Sequence, residues 1–167
     1  TVQTMFLCLL DKHIREDALV ILKYDLRLSC MSFEVLSRDL LGRIGRLETK
    51  SGVVETPVLL PVVNPAVQPV SPRKMQEEFK CQALIANAYI LRKHFGNEAA
   101  KRGIHNLLDF HGVIMTDSGA YQILAYGNID ATPEEIVRYQ EEINTDIATI
   151  LDVPTGWGIS KKHAEKS

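Results

Sequence analysis

The chain has 167 residues, 46% of them apolar and 24% charged. This is ordinary usage for one globular domain, able to bury about 70% of its unfolded surface, and it excludes disorder, collagen-like repeats and a disulfide-dependent miniprotein. With 19 Lys and Arg against 21 Asp and Glu the net charge is −2, so no basic surplus announces nucleic acid on electrostatics alone.

Two segments stand apart at the ends. Thr1 is no natural start, whereas Met31 precedes the patterned run Phe33-Glu34-Val35-Leu36. Residues 1–30 therefore read as an extension or a spurious upstream segment, and residues 31–167 as the domain. At the other end Pro154 to Ser160 reads as loop and Lys161 to Lys166 as a helix just beginning. No stretch approaches the ~20 apolar residues of a transmembrane helix, and a secretory leader is absent, so a cytoplasmic protein without membrane association is expected. Cys8, Cys30 and Cys81 are widely spaced and odd in number, which reads as free thiols in a reducing compartment.

Residues 33–63 read as a small antiparallel meander. Gly42 and Gly45 flank one expected turn, Ser51-Gly52 marks a second, and Val53, Val54, Val58, Leu59, Leu60, Val62 and Val63 supply strand material. The pattern then changes. Ser71-Pro72 is an N-cap followed by Pro at the first helical position, predicting a helix over Arg73 to Phe79. Ala83-Leu84-Ile85-Ala86 is a short apolar strand, and Asn97 to Arg102 a helix stopped by Gly103. Val113-Ile114-Met115 is a second strand. Thr132-Pro133-Glu134-Glu135 opens a helix with a capping box, carrying Ile136, Val137, Tyr139, Gln140 and Ile143 on one face until Asn144. Ile147 to Leu151 is a third strand. Short, wholly apolar strands alternating with helices predict βα units and a parallel sheet.

In such a sheet the chemistry sits beyond the C-terminal strand ends. The first end carries Asn87, Ala88 and Tyr89, the second Asp117-Ser118-Gly119-Ala120-Tyr121-Gln122, and the third Asp152-Val153-Pro154-Thr155. A single Asp or Asn at such a place is more often a turn former or helix cap. Two carboxylates gathered with a Tyr, a Gln and an Asn are harder to explain by turns. A carboxylate serves as nucleophile or general acid/base, a Tyr face stacks on a planar base, and a carboxylate acceptor matches the N1–H and N2–H donors of guanine.

Met115-Thr116-Asp117-Ser118-Gly119-Ala120-Tyr121-Gln122 closely resembles the hallmark of the tRNA-guanine transglycosylases. Glu55-Thr56-Pro57-Val58 through Pro65, Asn87-Ala88-Tyr89 and Leu151-Asp152-Val153-Pro154-Thr155 resemble three further motifs of that family in the same order. Ala120 and Tyr126-Gly127 resemble its archaeal branch. The resemblance runs from about Phe33 to the end of the chain.

It implies an α/β fold in which an N-terminal antiparallel sheet leads into the first part of a (β/α)8 barrel. It implies exchange of a guanine at position 15 of the tRNA D-loop for 7-cyano-7-deazaguanine (preQ0), through a covalent ribose–enzyme intermediate, after the target nucleotide leaves its stack. The partners implied are tRNA, a guanine or preQ0 base, and a second copy of the complete enzyme in a homodimer. Carried over by position, Asp117 is the general acid/base, Ser118 helps hold the base, Tyr121 forms one side of a base sandwich, Asn87 and Gln122 line the ribose side, and Asp152 accepts from the purine's donor edge.

The sequence also departs from the family. A (β/α)8 barrel takes ~250 residues, and this chain supplies about three barrel strands. The family's nucleophilic Asp and its zinc ligands have no counterparts here, and the three cysteines do not match them. The fragment alone is thus expected to be marginally stable, inactive and without zinc. The alternative is a non-catalytic, tRNA-associated partial barrel or remnant that needs a separate C-terminal half. Two other readings are weaker. Gly42-Arg43-Ile44-Gly45 fits the G-x-x-G loop of KH domains but sits among strands. An unrelated barrel hydrolase with a metal would draw on His94, His105, His111 and His163, which lack ligand spacing.

Overall fold

The computed structural model describes residues 31–126 and 130–152. The expected extension over residues 1–30, the loop after Asp152 and the helix start at Lys161 lie outside these. The chain divides into two compact units at Val58 and Leu59.

The first unit is a three-stranded antiparallel sheet in the order β1 (Ser32–Asp39), β2 (Gly42–Thr49), β3 (Gly52–Thr56). Registration places Phe33, Leu47 and Val54 across one face, with Val54 buried. A register shift between Val35 and Ser37 makes Leu36 the extra residue of β1. The expected turn between Gly42 and Gly45 is corrected. Arg43 and Ile44 lie inside β2, and the turn is Leu40-Leu41, with Leu40 at φ +49°. Gly45 is a mid-strand residue covered by the Phe33 ring, which leaves no room for a Cβ. A strand interior is also incompatible with the KH-type loop. The second turn is Lys50-Ser51, one residue earlier than expected, and Gly52 opens β3 paired with Thr49.

The second unit is a parallel sheet of four strands in sequential order, β4 (Val62–Val63), β5 (Ala83–Asn87), β6 (Val113–Asp117) and β7 (Ile147–Ala148). Val62-Val63 therefore does not belong to the meander. It pairs in parallel with Ile85 and Ala86, so the parallel sheet has four strands rather than three. The helices are α1 (Pro72–Glu77), α2 (Ala88–Arg102), α3 (Ile104–Leu108), α4 (Ala120–Tyr126) and α5 (Pro133–Glu142). Both capping predictions hold. The Ser71 hydroxyl accepts from Lys74 N, and Thr132 with Glu135 forms a reciprocal capping box. The helix predicted over Asn97 to Arg102 is longer, beginning at Ala88 and kinking at Gly96 (φ 41°, ψ −120°). Helices α3 and α4 have no counterpart in the sequence reading.

One face of the sheet carries Val63, Leu84, Ala86 and Ile114, which bury against Leu91, Ala99, Ile104, Leu108, Phe110, Tyr139 and Ile143. The strand alternation turns Val62, Ile85, Met115 and Ile147 to the opposite face in one row. Val62 is 75% exposed, and the other three are half-buried. The start of β7 is tied down by Asp146, whose buried carboxylate accepts from Ile114 N at 2.7 Å and lies 3.0 Å from His105 Nε2.

Candidate active site

Strands β5 and β6 end in register, with Asn87 opposite Asp117. Asn87 is both the last residue of its strand and the N-cap of α2. Its Oδ1 accepts from Ile90 N at 2.9 Å. That bond fixes the orientation of the amide, because only the oxygen can face an N–H. The Nδ2 group must then point the other way. It donates to Asp117 Oδ2 and to Gln122 Oε1, both at 2.9 Å. One amide thus caps a helix with its oxygen and spends both of its N–H donors on holding a carboxylate and a second amide in place. Among the described residues, Asp117 Oδ1 has no hydrogen-bond partner.

Gly119 makes the turn between β6 and α4. It sits at φ +97°, and a Cβ there would lie 2.7 Å from Tyr89 Cβ and 3.3 Å from Gln122 Oε1. Only glycine allows the chain to pass so close to Tyr89 in this conformation. Gln122 N then donates to Gly119 O, which starts α4 and aims Gln122 back at Asn87.

The structure brings Asn87, Asp117 and Gln122 together and leaves three other predicted residues apart from that cluster. Ser118 is 2% exposed, buried beside the turn. Tyr121 is 69% exposed and turned outward. Asp152 is exposed and directly follows Leu151, which is buried against Ala88 and Ile136.

The third strand end is built differently. The expected strand over Ile147 to Leu151 pairs only at Ile147 and Ala148. Thr149 is instead held by Gln140 of α5, a buried side chain that sequence reasoning placed on an apolar helix face and gave no role. Gln140 Oε1 accepts from Thr149 N at 3.1 Å and from Thr116 Oγ1 at 2.7 Å, and Gln140 Nε2 donates to Thr149 O at 2.8 Å. The signal was available: a Gln on the core side of a helix needs partners.

A separate cleft of about 670 Å³ lies between α2 and α5, near Tyr89, Arg92 and Tyr139. Arg92 is engaged on both sides of it. Arg92 donates to Asp130 O at 2.8 Å and pairs with Glu135 at 3.4 Å. Burial pushes the Tyr139 hydroxyl up to about 12, with Arg92 pulling down and Glu142 pushing up. That hydroxyl donates to Gly96 O at 3.3 Å, at the kink of α2.

Among the described residues no three His, Cys, Asp or Glu side chains converge on a point that would hold an ion. Cys81 packs against the apolar core. No helix among the described residues is long and apolar enough to cross a membrane.

The family described as queuine tRNA-ribosyltransferase matches residues 39–167. The chain is 50% identical over 137 residues to the tRNA-guanine(15) transglycosylase of Haloferax volcanii, covering 80% of this chain and 27% of the relative. It is 50% identical over 135 residues to that of Aeropyrum pernix, covering 81% and 26%, and 47% identical over 138 residues to that of Methanopyrus kandleri, covering 81% and 30%. The chain thus spans between about a quarter and a third of the length of these relatives. The span matched by the family model contains positions 87, 117 and 122, and the chain belongs to the tRNA-guanine transglycosylase family.

Proposed function

We propose that a protein carrying this chain exchanges a guanine at position 15 of tRNA for preQ0, and that residues 31–167 form the N-terminal part of its catalytic barrel. The observation that carries the reading is the clamp of Asn87 on Asp117 and Gln122 at two registered strand ends. Support for a barrel comes from the row Val62, Ile85, Met115 and Ile147, an apolar sheet face beneath a polar C-terminal rim. In a (β/α)8 barrel that face fills the interior and the rim holds the site.

The chemistry proposed is a double displacement. A carboxylate from outside this chain attacks ribose C1′, the C1′–N9 bond breaks, and guanine leaves with a proton taken up at N9. The incoming base loses its own N9 proton as its N9 displaces the carboxylate from C1′, so protons balance and no oxidant is needed. Asp117 gives the first proton and takes the second, for which a carboxyl held on one oxygen and open on the other is suited. Asn87 and Gln122 line the ribose side, Ser118 and Tyr121 hold the base, and Asp152 accepts from its N1–H and N2–H edge. Zinc and the homodimer contacts belong, on this reading, to parts of the protein beyond this chain, and a tRNA substrate places the protein in the cytoplasm.

The test is radiolabelled guanine exchange into tRNA by the protein with its whole catalytic domain. Asp117→Asn is expected to lower the rate about 100- to 10,000-fold with folding intact. Exchange at the wild-type rate would refute the assignment and favour a tRNA-associated partial barrel.

A further inference from the structure

Gln140 does more than fill a buried position. Its carboxamide gives Thr149 one donor and one acceptor, the pair that a neighbouring strand residue gives in a hydrogen-bonded antiparallel pair. It does so immediately beyond Ala148, where the backbone ladder stops. The same oxygen takes the Thr116 hydroxyl, and the Thr149 hydroxyl returns a bond to Thr116 O at 3.1 Å. Four hydrogen bonds therefore close a ring through Thr116, Gln140 and Thr149. Thr116 directly precedes Asp117, and Thr149 lies three residues before Asp152.

We infer that Gln140 is a positioning residue that sets the spacing between the two carboxylate-bearing strand ends, and through it the affinity for the purine base. The inference rests on the proposed base-reading role of Asp152. The geometry leads directly to it. Thr149 is fixed from the helix side by Gln140, and Leu151 is buried against Ala88 and Ile136. Asp152 is carried on a segment pinned at both of these points. An apolar side chain at position 140 would occupy the space but leave the Thr149 N–H, the Thr149 carbonyl and the Thr116 hydroxyl without that partner. The segment would then shift to find others. Asp117 would stay put, because Asn87 holds it independently.

A role confined to stability and a role in positioning give different kinetics. In the protein with its whole catalytic domain, Gln140→Leu is expected to raise KM for guanine about tenfold or more, the loss of two to three hydrogen bonds. KM for tRNA should stay within about twofold, because nucleic-acid affinity draws chiefly on phosphate and sugar contacts. A guanine KM unchanged while kcat or the folded fraction falls would overturn the inference. Should Gln140→Leu fail to fold, Thr149→Val keeps the side-chain volume and removes only the hydroxyl bond to Thr116. It is expected to raise guanine KM about two- to fivefold, and no rise would overturn the inference. Hydrogen exchange gives a readout independent of activity. The Thr149 amide should exchange at least about tenfold faster in Gln140→Leu, while the amides of β6 keep their protection. Undiminished protection at Thr149 would overturn the inference. Absence of guanine exchange by the wild-type protein would instead count against the proposed function and leave Thr149 protection to decide the role of Gln140.

Discussion

The two carboxylate-bearing strand ends of this chain are held by opposite means. At the end of β6, Asp117 is still in the backbone ladder, paired with Asn87, and a single side-chain amide finishes the alignment. At the end of β7 the ladder has stopped four residues before Asp152, and a helix side chain stands in for the missing strand. The first arrangement is local and stiff, because a strand, a helix cap and a carboxylate share one residue. The second is assembled from three elements and depends on each. A strand end can therefore be positioned as firmly by one buried Gln as by a neighbouring strand, but it inherits every weakness of the helix that carries the Gln.

The sharpest way to break the first end is Asn87→Asp. An oxygen still accepts from Ile90 N and keeps α2 capped, but the two donors vanish and a carboxylate faces Asp117. Guanine exchange is expected to fall about a hundredfold, the scale of a misplaced catalytic group, with the unfolding midpoint little changed. Next comes Gly119→Ala. The new Cβ has to displace Tyr89 at a φ that disfavours it, at an expected cost of about 1–3 kcal/mol in urea unfolding. The second end is probed through its helix. Thr132→Ala removes the capping box of α5 and should cost about 1 kcal/mol. If the comparison is right, this variant also speeds amide exchange at Thr149 while leaving Asn87 and Asp117 undisturbed.

The smallest effect is expected at Tyr139, which shares α5 with Gln140. Its folded pKa of about 12 lies above the ordinary 10.0, so the folded state resists ionisation. The stability this contributes is fully present below pH 10 and is lost as pH rises through about 12. Tyr139→Phe should flatten that alkaline decline in urea midpoints measured across the window. At neutral pH it should cost only about 0.5–1 kcal/mol, for the bond to Gly96 O.

What could be read from the sequence was what is written in adjacent residues. Ser71-Pro72 and Thr132-Pro133-Glu134-Glu135 start their helices as expected, because caps act within one turn. Asn87, Asp117 and Gln122 stood out because they lie at or just beyond the C-terminal ends of short apolar strands. The misreadings arise where distant partners or backbone strain decide. Val62-Val63 looked like more meander, since nothing local marks a parallel partner at Ile85 and Ala86. Leu40-Leu41 makes a tight turn with none of the usual turn residues. The first half of α2 escapes the sequence reading, which weighs Asn87 as a turn former rather than as the cap of a helix. The helix that Asn87 caps is interrupted at Gly96, which is non-helical, and resumes after it.

The partly uncovered apolar row of Val62, Ile85, Met115 and Ile147 has a consequence for how such a protein is made. Parallel strands pair only after their crossover helices have been synthesised, so this sheet completes late relative to its own length. On the ribosome its apolar face stays open to solvent and to other nascent chains until the sheet is complete. The interval is set by elongation speed rather than by folding speed. Slowing translation past this point should therefore lengthen the exposure and increase capture by chaperones.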